Sequence, residues 1–381
     1  MRHPVLILAF LLSGFMLAQQ TDTLRFHSEA FGSERTITVR TPTFHRYAAA
    51  EVRMPVIVLL DGQHEWFIEP ALSDIHYLQY THIVPQAIVV TVPLVDRVGE
   101  CAPDSLDQTG MPLLRLLTDE LPALLAPYHP SGYTVLVGHS FSASFALYAL
   151  LQAPEAFDAV IALSPAHFVE RSLPRVEAVL EADAHKRVYV AVGGADRMMD
   201  GGHHAILTPV VAGLNGKGDG ERLRYSEYPS AGHTSLPIIA FPELLATLFK
   251  PFALRDTLAP VDNEYVLLRP PPASAELLRQ VDAGLGFLGE PLPWEVAEIN
   301  GLASRLENSR YNEEAIAVYR RATQLYPKLF DFHASLGALL LARDRPAGLA
   351  ALRKSLELLE SEEAQMPERA QLEAEIRELM E

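Results

Sequence analysis

The sequence contains a single cysteine, Cys101, among its 381 residues, so no disulfide can form within the chain. Positive charge is also scarce: Lys and Arg total 31 against 48 Asp and Glu, which gives a formal net charge of −17. Proteins that bind nucleic acid usually concentrate basic residues in a stripe, and this sequence contains none. These shortages exclude a disulfide-stapled scaffold and argue against a nucleic-acid partner.

Motifs for bound metals or phosphates are missing as well. His64-Glu65 lacks the second histidine of a zinc-binding helix. Lys217 stands among glycines in residues 215–220, but no Ser or Thr follows it and no strand precedes it, so the segment is not a phosphate-binding loop. We therefore expect no metal ion and no cofactor.

One apolar run stands out at the N-terminus, and it is too short to span a membrane comfortably. Arg2 and His3 precede apolar residues 4–18, which are followed by polar Gln19 and Gln20. This pattern, with an apolar stretch below the ~20 residues of a spanning helix, is typical of a cleaved signal peptide. We expect residues 1–18 to be a signal peptide and the protein to be exported, periplasmic or secreted. An uncleaved membrane anchor is the alternative.

The length exceeds what one hydrophobic core usually supports, which favours two domains. In residues 22–254, apolar runs of the kind found in parallel strands buried on both faces occur at 56–60, 88–92, 133–137, 159–163 and 188–192. Segments 23–27 and 35–40 alternate as edge strands do, and helices are expected over 113–125, 141–151 and 174–182, the last with Pro174 in its first turn. The pattern predicts an α/β fold, a mostly parallel sheet flanked by helices.

Residues 255–285 are expected to form a linker, because their first part contains Pro260 and prolines 270–272 without sustained periodicity. Residues 286–381 are predicted to be an all-helical, tetratricopeptide-like domain. The signature spacings are met by Leu302, Ala315, Tyr319, Ala322 and Pro327.

A second repeat fits only if one residue between its helices is deleted, which brings Gly348, Leu352 and Ser355 to the signature positions. Two repeats and a final helix are fewer than a free-standing array usually needs. A helical cap packed on the first domain and a partner-binding surface therefore remain alternatives.

A candidate nucleophile, Ser140, lies between a predicted buried strand and a predicted helix. A serine on such a turn needs small residues two positions before and after it. Gly138 and Ser142 meet this need, although a second glycine is usual in place of Ser142. We expect Ser140 to be a catalytic nucleophile; the alternative is a capping serine in an ordinary turn.

A serine hydroxyl needs a base to take its proton and an acid to orient that base, and in this fold their chain order is Ser, acid, His. Asp196 is the first acid at a predicted strand end, after Gly193 and Gly194, and Asp200 is its competitor. The expected base is His233, which follows predicted strand 223–228 in a loop. Histidines at the start of a predicted helix are less favoured: His203 and His204.

An oxyanion intermediate needs two backbone N–H donors. One is expected from Phe141, the residue after the nucleophile. The other is expected from the loop after strand 56–60, where Gly62 lets the chain turn so that the Gln63 amide faces the site.

Several segments within about residues 22–250 resemble the esterase family that includes esterase D, the ferric-enterobactin esterases and the mycolyltransferases. The matching motifs are Leu59-Leu60-Asp61-Gly62, Asp96-Arg97, Gly138-His139-Ser140-Phe141, Phe157 with Ser164-Pro165, and His233-Thr234-Ser235-Leu236-Pro237. The family's second Arg and Asp in the arginine segment are replaced by Gly99 and Glu100, and the family acid is often Glu where this chain has Asp196.

The resemblance implies an α/β-hydrolase fold and hydrolysis of a small ester, such as a siderophore or short-chain acyl ester. Arg97 and His139, inside matching segments, are candidates for substrate contact, although His139 is not placed to act as the base. Two alternatives stay open: a non-catalytic scaffold that recruits a partner through residues 286–381, and an acyltransferase.

Overall fold

The computed structural model describes residues 20–196, 222–252, 254–364 and 366–381. Several predictions from the sequence fall outside these ranges: the signal peptide, the alternative acid Asp200, and the alternative bases His203 and His204.

The described residues contain one mixed sheet of eight strands. The strands are β1 (Gln20–Ser28), β2 (Ser33–Thr41), β3 (Met54–Leu60), β4 (Ile88–Val92), β5 (Pro130–His139), β6 (Ala159–Leu163), β7 (Arg187–Gly193) and β8 (Leu223–Tyr228). Their order is β1-β2-β4-β3-β5-β6-β7-β8; β2 pairs antiparallel with β1 and β4, and the remaining pairs are parallel.

Burial follows the sequence pattern of each strand. β3, β4 and β6 are buried along their whole lengths, because helices cover both faces of the sheet there. β1 alternates exposed and half-buried residues, as an edge strand does. The predicted α/β fold with a mostly parallel sheet is confirmed.

The helices of this α/β region connect the strands or follow the last of them. They are α1 (Glu65–Tyr80), α2 (Arg97–Cys101), α3 (Pro112–Arg115), α4 (Leu121–Leu125), α5 (Phe141–Gln152), α6 (Val169–Ala182) and α7 (Leu236–Leu248). Within the described ranges, no helix is both long enough and apolar enough to cross a membrane.

Two helices that contain proline differ from the prediction. The helix expected over 113–125 is interrupted by a π-helical turn, Leu116–Glu120, just before Pro122, which has no N–H to continue the regular pairing. α6 begins at Val169, after Phe168 turns the chain with a φ of 55°. Pro174 therefore lies inside this helix and not in its first turn.

The remaining helices form a second, all-helical region. They are α8 (Arg255–Leu258), α9 (Ser274–Leu285), α10 (Val296–Asn308), α11 (Asn312–Leu325), α12 (Phe330–Leu341), α13 (Arg345–Glu362) and α14 (Arg369–Met380). α9 lies within the segment expected to be a linker and buries Leu277, Val281 and Leu285 at helical spacing. The second half of that segment is therefore packed structure.

α13 buries the residues that the adjusted repeat places at signature positions. Gly348, Leu352 and Ser355 are buried, while Arg353 is exposed. Leu352 packs where Gly337 of α12 has no side chain; a Cβ at Gly337 would lie 2.7 Å from the Leu352 Cγ. This burial fits the one-residue deletion, and the tetratricopeptide assignment itself stays a prediction.

The helical region packs directly on the α/β region. One continuous hydrophobic core runs from the sheet into α10, α11 and α12. The Ala49 N–H donates to the Leu325 carbonyl at 2.8 Å. The buried Glu363 carboxylate accepts hydrogen bonds from Arg46, at 2.8 Å, and from the Tyr47 hydroxyl. The two regions are thus joined by apolar and polar contacts.

We predict that Ile299→Ala destabilises both regions together. Ile299 is 1% exposed and lines a cavity with Phe252 and Leu302, so truncation enlarges a void in the shared core. The expected loss is about 2–5 kcal/mol of unfolding free energy. Urea unfolding followed by circular dichroism and by tryptophan fluorescence should give one coincident transition at lower urea. Ile83→Ala, at a 43% exposed isoleucine, is the control and should lose little stability. Two separate unfolding transitions would contradict a shared core.

Candidate active site

The candidate residues gather at one edge of the sheet. Because β3 to β8 are parallel, their carboxyl ends meet at the same edge, where sites form in open α/β sheets. The segments that follow these strands carry Gln63 after β3, Arg97 after β4, Ser140 after β5, Asp196 after β7 and His233 after β8.

Ser140 occupies a strained turn between β5 and α5. Its φ of 61° and ψ of −116° lie outside the regions that a non-glycine residue ordinarily adopts. Its N–H donates to the Leu163 carbonyl of β6 at 2.9 Å, which fixes the turn against the sheet. A Cβ at Gly138 would lie 2.3 Å from the Ser142 carbonyl oxygen, so only glycine fits two residues before the serine.

Asp196 and His233 are hydrogen-bonded to each other. The His233 Nδ1 lies 2.7 Å from Asp196 Oδ2, and the carboxylate side chain is 2% exposed. The Ser164 hydroxyl at the end of β6 donates to the same oxygen at 3.1 Å. The acid and base expected from chain order are therefore brought together by the fold.

Gly193 allows the acid loop and the histidine loop to approach this closely. A Cβ there would lie 2.3 Å from the Ala231 carbonyl oxygen. The same carbonyl accepts the Ala195 N–H at 3.0 Å, so the two loops pair through their backbones just before Asp196 and His233.

His139 connects the serine turn to the histidine loop. Its ring centroid lies 4.6 Å from that of His233, and its Nε2 lies 2.9 Å from the His233 carbonyl oxygen, so Nε2 carries the hydrogen. The His139 residue is 2% exposed. The structure thus places it in packing that supports the His233 loop, and not at a surface open to substrate.

The two amides expected to bind an oxyanion are both unused within the described part of the chain. Neither the Phe141 N–H, at the start of α5, nor the Gln63 N–H donates a hydrogen bond to a described residue. The Gln63 side chain folds back, with Oε1 accepting the Leu94 N–H at 2.8 Å. Gly62 lets the loop approach β4, since a Cβ there would lie 2.7 Å from the Pro93 nitrogen.

Arg97 is engaged by the protein itself. It donates to both carboxylate oxygens of Asp61, Nε to Oδ1 at 2.5 Å and Nη2 to Oδ2 at 2.8 Å, and Nη2 also donates to the His139 carbonyl at 2.8 Å. Burial acts to raise the pKa of Asp61, but the bonds from Arg97 and Ser142 outweigh it and hold that pKa below its ordinary value. The positive charge of Arg97, the residue expected to contact substrate, is therefore neutralised by Asp61.

Sequence reasoning missed two side chains of this site. The sequence identifies Asp61 only as part of a loop and Ser164 only as part of a matching motif. A signal for both was present, because each is a polar residue directly after a fully apolar strand. Among the described residues, no cluster of His, Cys, Asp and Glu could hold a metal ion.

The sheet order, the turn at Ser140 and the Asp196–His233 pair define the class as an α/β-hydrolase fold. Residues 28–211, just under half of the chain, match the family model described as "Putative esterase". No curated protein matches the chain significantly in sequence.

Two solved structures show the same fold. An IroE-like serine hydrolase from Shewanella oneidensis has a TM-score of 0.60 and 19% identity, over 78% of this chain and 98% of its own. An uncharacterised protein from Capnocytophaga ochracea has a TM-score of 0.59 and 13% identity, over 88% of this chain and 94% of its own. The latter likeness must include helical residues, because the α/β region alone spans less. The family match supports an esterase-type hydrolytic enzyme.

We predict that buried His139 makes the fold sensitive to acid. Burial, reinforced by the charge of His233, lowers the pKa of His139 to about 4. The unfolded chain takes up the proton near its ordinary pKa of ~6.5, so stability is lost as the pH falls from there toward 4. Between pH 6.5 and 4.5, the wild type should lose about 2 kcal/mol more unfolding free energy than His139→Gln in urea titrations. The same pH dependence in both proteins would contradict this.

Proposed function

We propose that this protein is a serine esterase that hydrolyses a carboxylic ester through an acyl-enzyme. The observation that carries the proposal is the Asp196–His233 hydrogen bond at the sheet edge that also holds the strained Ser140 turn. The family match over residues 28–211 supports the same reaction class.

In the proposed reaction, His233 Nε2 takes the proton of the Ser140 hydroxyl as Oγ attacks the ester carbonyl. Asp196 holds the Nδ1–H and stabilises the imidazolium that forms. The Phe141 and Gln63 amides bind the oxyanion, and the alcohol leaves with the proton from His233. A water molecule then repeats the sequence on the acyl-enzyme, which releases the acid and restores Ser140.

Transfer of the acyl group to another acceptor shares the first half of this reaction, so product analysis with and without an added alcohol would separate the two. Two further proposals rest on the sequence alone: export through residues 1–18, and recruitment of a partner by the helical region. The packing of that region on the α/β core supports a role as a structural cap.

We predict that Ser140→Ala lowers kcat for p-nitrophenyl butyrate hydrolysis by at least ~10⁴-fold, because the nucleophile is lost. Asp196→Asn should lower kcat by about 10³–10⁴-fold, since the amide cannot hold the required His233 tautomer. Ser304→Ala, at an exposed serine in α10, should leave the rate unchanged. Equal rates for Ser140→Ala and the wild type would refute the esterase.

Exposed apolar side chains lie close in sequence to the candidate residues and bear on the choice of substrate. They are 43–81% exposed and flank the candidate residues: Trp66 at the start of α1, Val95 and Val98 around Arg97, and Ile238 and Ile239 after His233. The Trp66 ring meets the His139 ring edge-on at 5.4 Å, which puts it next to the site. We propose that the acyl group is uncharged and apolar.

Longer acyl chains should therefore be better substrates. Half-burial of each added CH₂ is worth about 0.4 kcal/mol, so kcat/KM for p-nitrophenyl octanoate should exceed that for the butyrate by about tenfold. Trp66→Ala should reduce the octanoate value by about fivefold and the acetate value by less than twofold. Tyr77→Ala, on the same helix and 65% exposed, is the control. A preference for acetate in the wild type would contradict the proposal.

A further inference from the structure

The carboxylate of Asp61 accepts hydrogen bonds from three side chains at the site. It has no exposed surface. Besides the paired bonds from Arg97, Oδ2 accepts the Ser142 hydroxyl at 2.6 Å and Oδ1 accepts the Gln63 side-chain amide at 3.1 Å. A buried carboxylate is costly unless such donors satisfy it, so this network constrains the loops that supply them.

The donors come from three separate segments. Arg97 belongs to α2, Ser142 to α5, and Gln63 to the loop that Asp61 itself begins with a left-handed φ of 62°. The network therefore joins the loop after β3 to the turn that carries the nucleophile.

The same side chains also hold the residue before the nucleophile. The Ser142 hydroxyl oxygen accepts the His139 N–H at 2.8 Å, and Arg97 Nη2 donates to the His139 carbonyl. Asp61, Ser142, His139 and Arg97 thus form a closed ring of hydrogen bonds. A glycine at position 142 would leave the His139 N–H and one Asp61 bond unmade.

We propose that Asp61 is a positioning residue for the oxyanion hole and that Ser142 is the link through which it acts. The two amides that would bind the oxyanion, Phe141 and Gln63, stand on different segments, and the ring fixes one segment against the other. Donors placed this way stabilise the transition state only when their spacing is held closely. The proposal rests on the esterase function and assigns a purpose to the serine that replaces a glycine.

The test compares Ser142→Ala with Ser172→Ala, which removes another buried hydroxyl. Among the described residues, the Ser172 hydroxyl bonds only the Phe168 carbonyl. Ser142→Ala should lower kcat for p-nitrophenyl butyrate by about ten- to a hundredfold, less than complete loss of an oxyanion donor. KM should change by less than twofold. Inhibition by an alkyl trifluoromethyl ketone, whose adduct with a serine carries an oxyanion, should weaken by the same factor as kcat/KM. Ser172→Ala should match the wild type in all three.

Asp61→Asn keeps the size of the side chain and should give the larger loss of kcat. Thermal unfolding shows whether it folds, and Ser142→Ala carries the test if it does not. The positioning role would be overturned if Ser142→Ala kept the kcat and the ketone inhibition of the wild type. A rise in KM at constant kcat in this variant would also overturn it. Ser140→Ala in the same assay separates the two proposals. If it is inactive while Ser142→Ala is fully active, only the positioning role fails, whereas a Ser140→Ala rate equal to that of the wild type overturns both.

Discussion

The backbone of Ser140 is the constraint on which the candidate site depends. A left-handed φ of 61° lets the chain leave β5 and enter α5 within one residue, so that the serine stands at the sheet edge. The conformation is costly for a residue with a side chain. It is held by the Leu163 carbonyl and by the space that Gly138 leaves for the Ser142 backbone. A side chain at Gly138 would move Ser140 away from the edge where Asp196 and His233 meet.

The strands could be predicted from the sequence because each buried one is a continuous apolar run, as 88–92 and 159–163 are. The chain order Ser140, Asp196, His233 could also be predicted, because each residue follows a predicted strand. The structure brings Asp196 and His233 into contact. The bonds of Asp61 could not be predicted, since its partners Arg97 and Ser142 are distant in sequence and meet only once the sheet is assembled. The packed helix Ser274–Leu285 could not be predicted in the same way. Proline-rich residues precede it, and they make the whole of segment 255–285 resemble a linker.

The helical region shares its core with the α/β region, and this links the stability of the site to residues far from it. Glu363 near the end of the chain bonds Arg46 and Tyr47, beside the strands that open the sheet. Unfolding of these helices would therefore destabilise the α/β region that holds Ser140. The shared core favours a cap over an independent binding array, which would keep its own faces free.

If Ser140 is an activated nucleophile, a reagent specific for such serines should label it covalently. The protein would be treated with an alkyl fluorophosphonate, and the adduct would be measured by intact mass spectrometry and mapped by peptide sequencing. We predict one adduct per chain, located on Ser140, and none in Ser140→Ala. Absence of an adduct on the folded wild type, or an adduct on another residue that persists in Ser140→Ala, would contradict it.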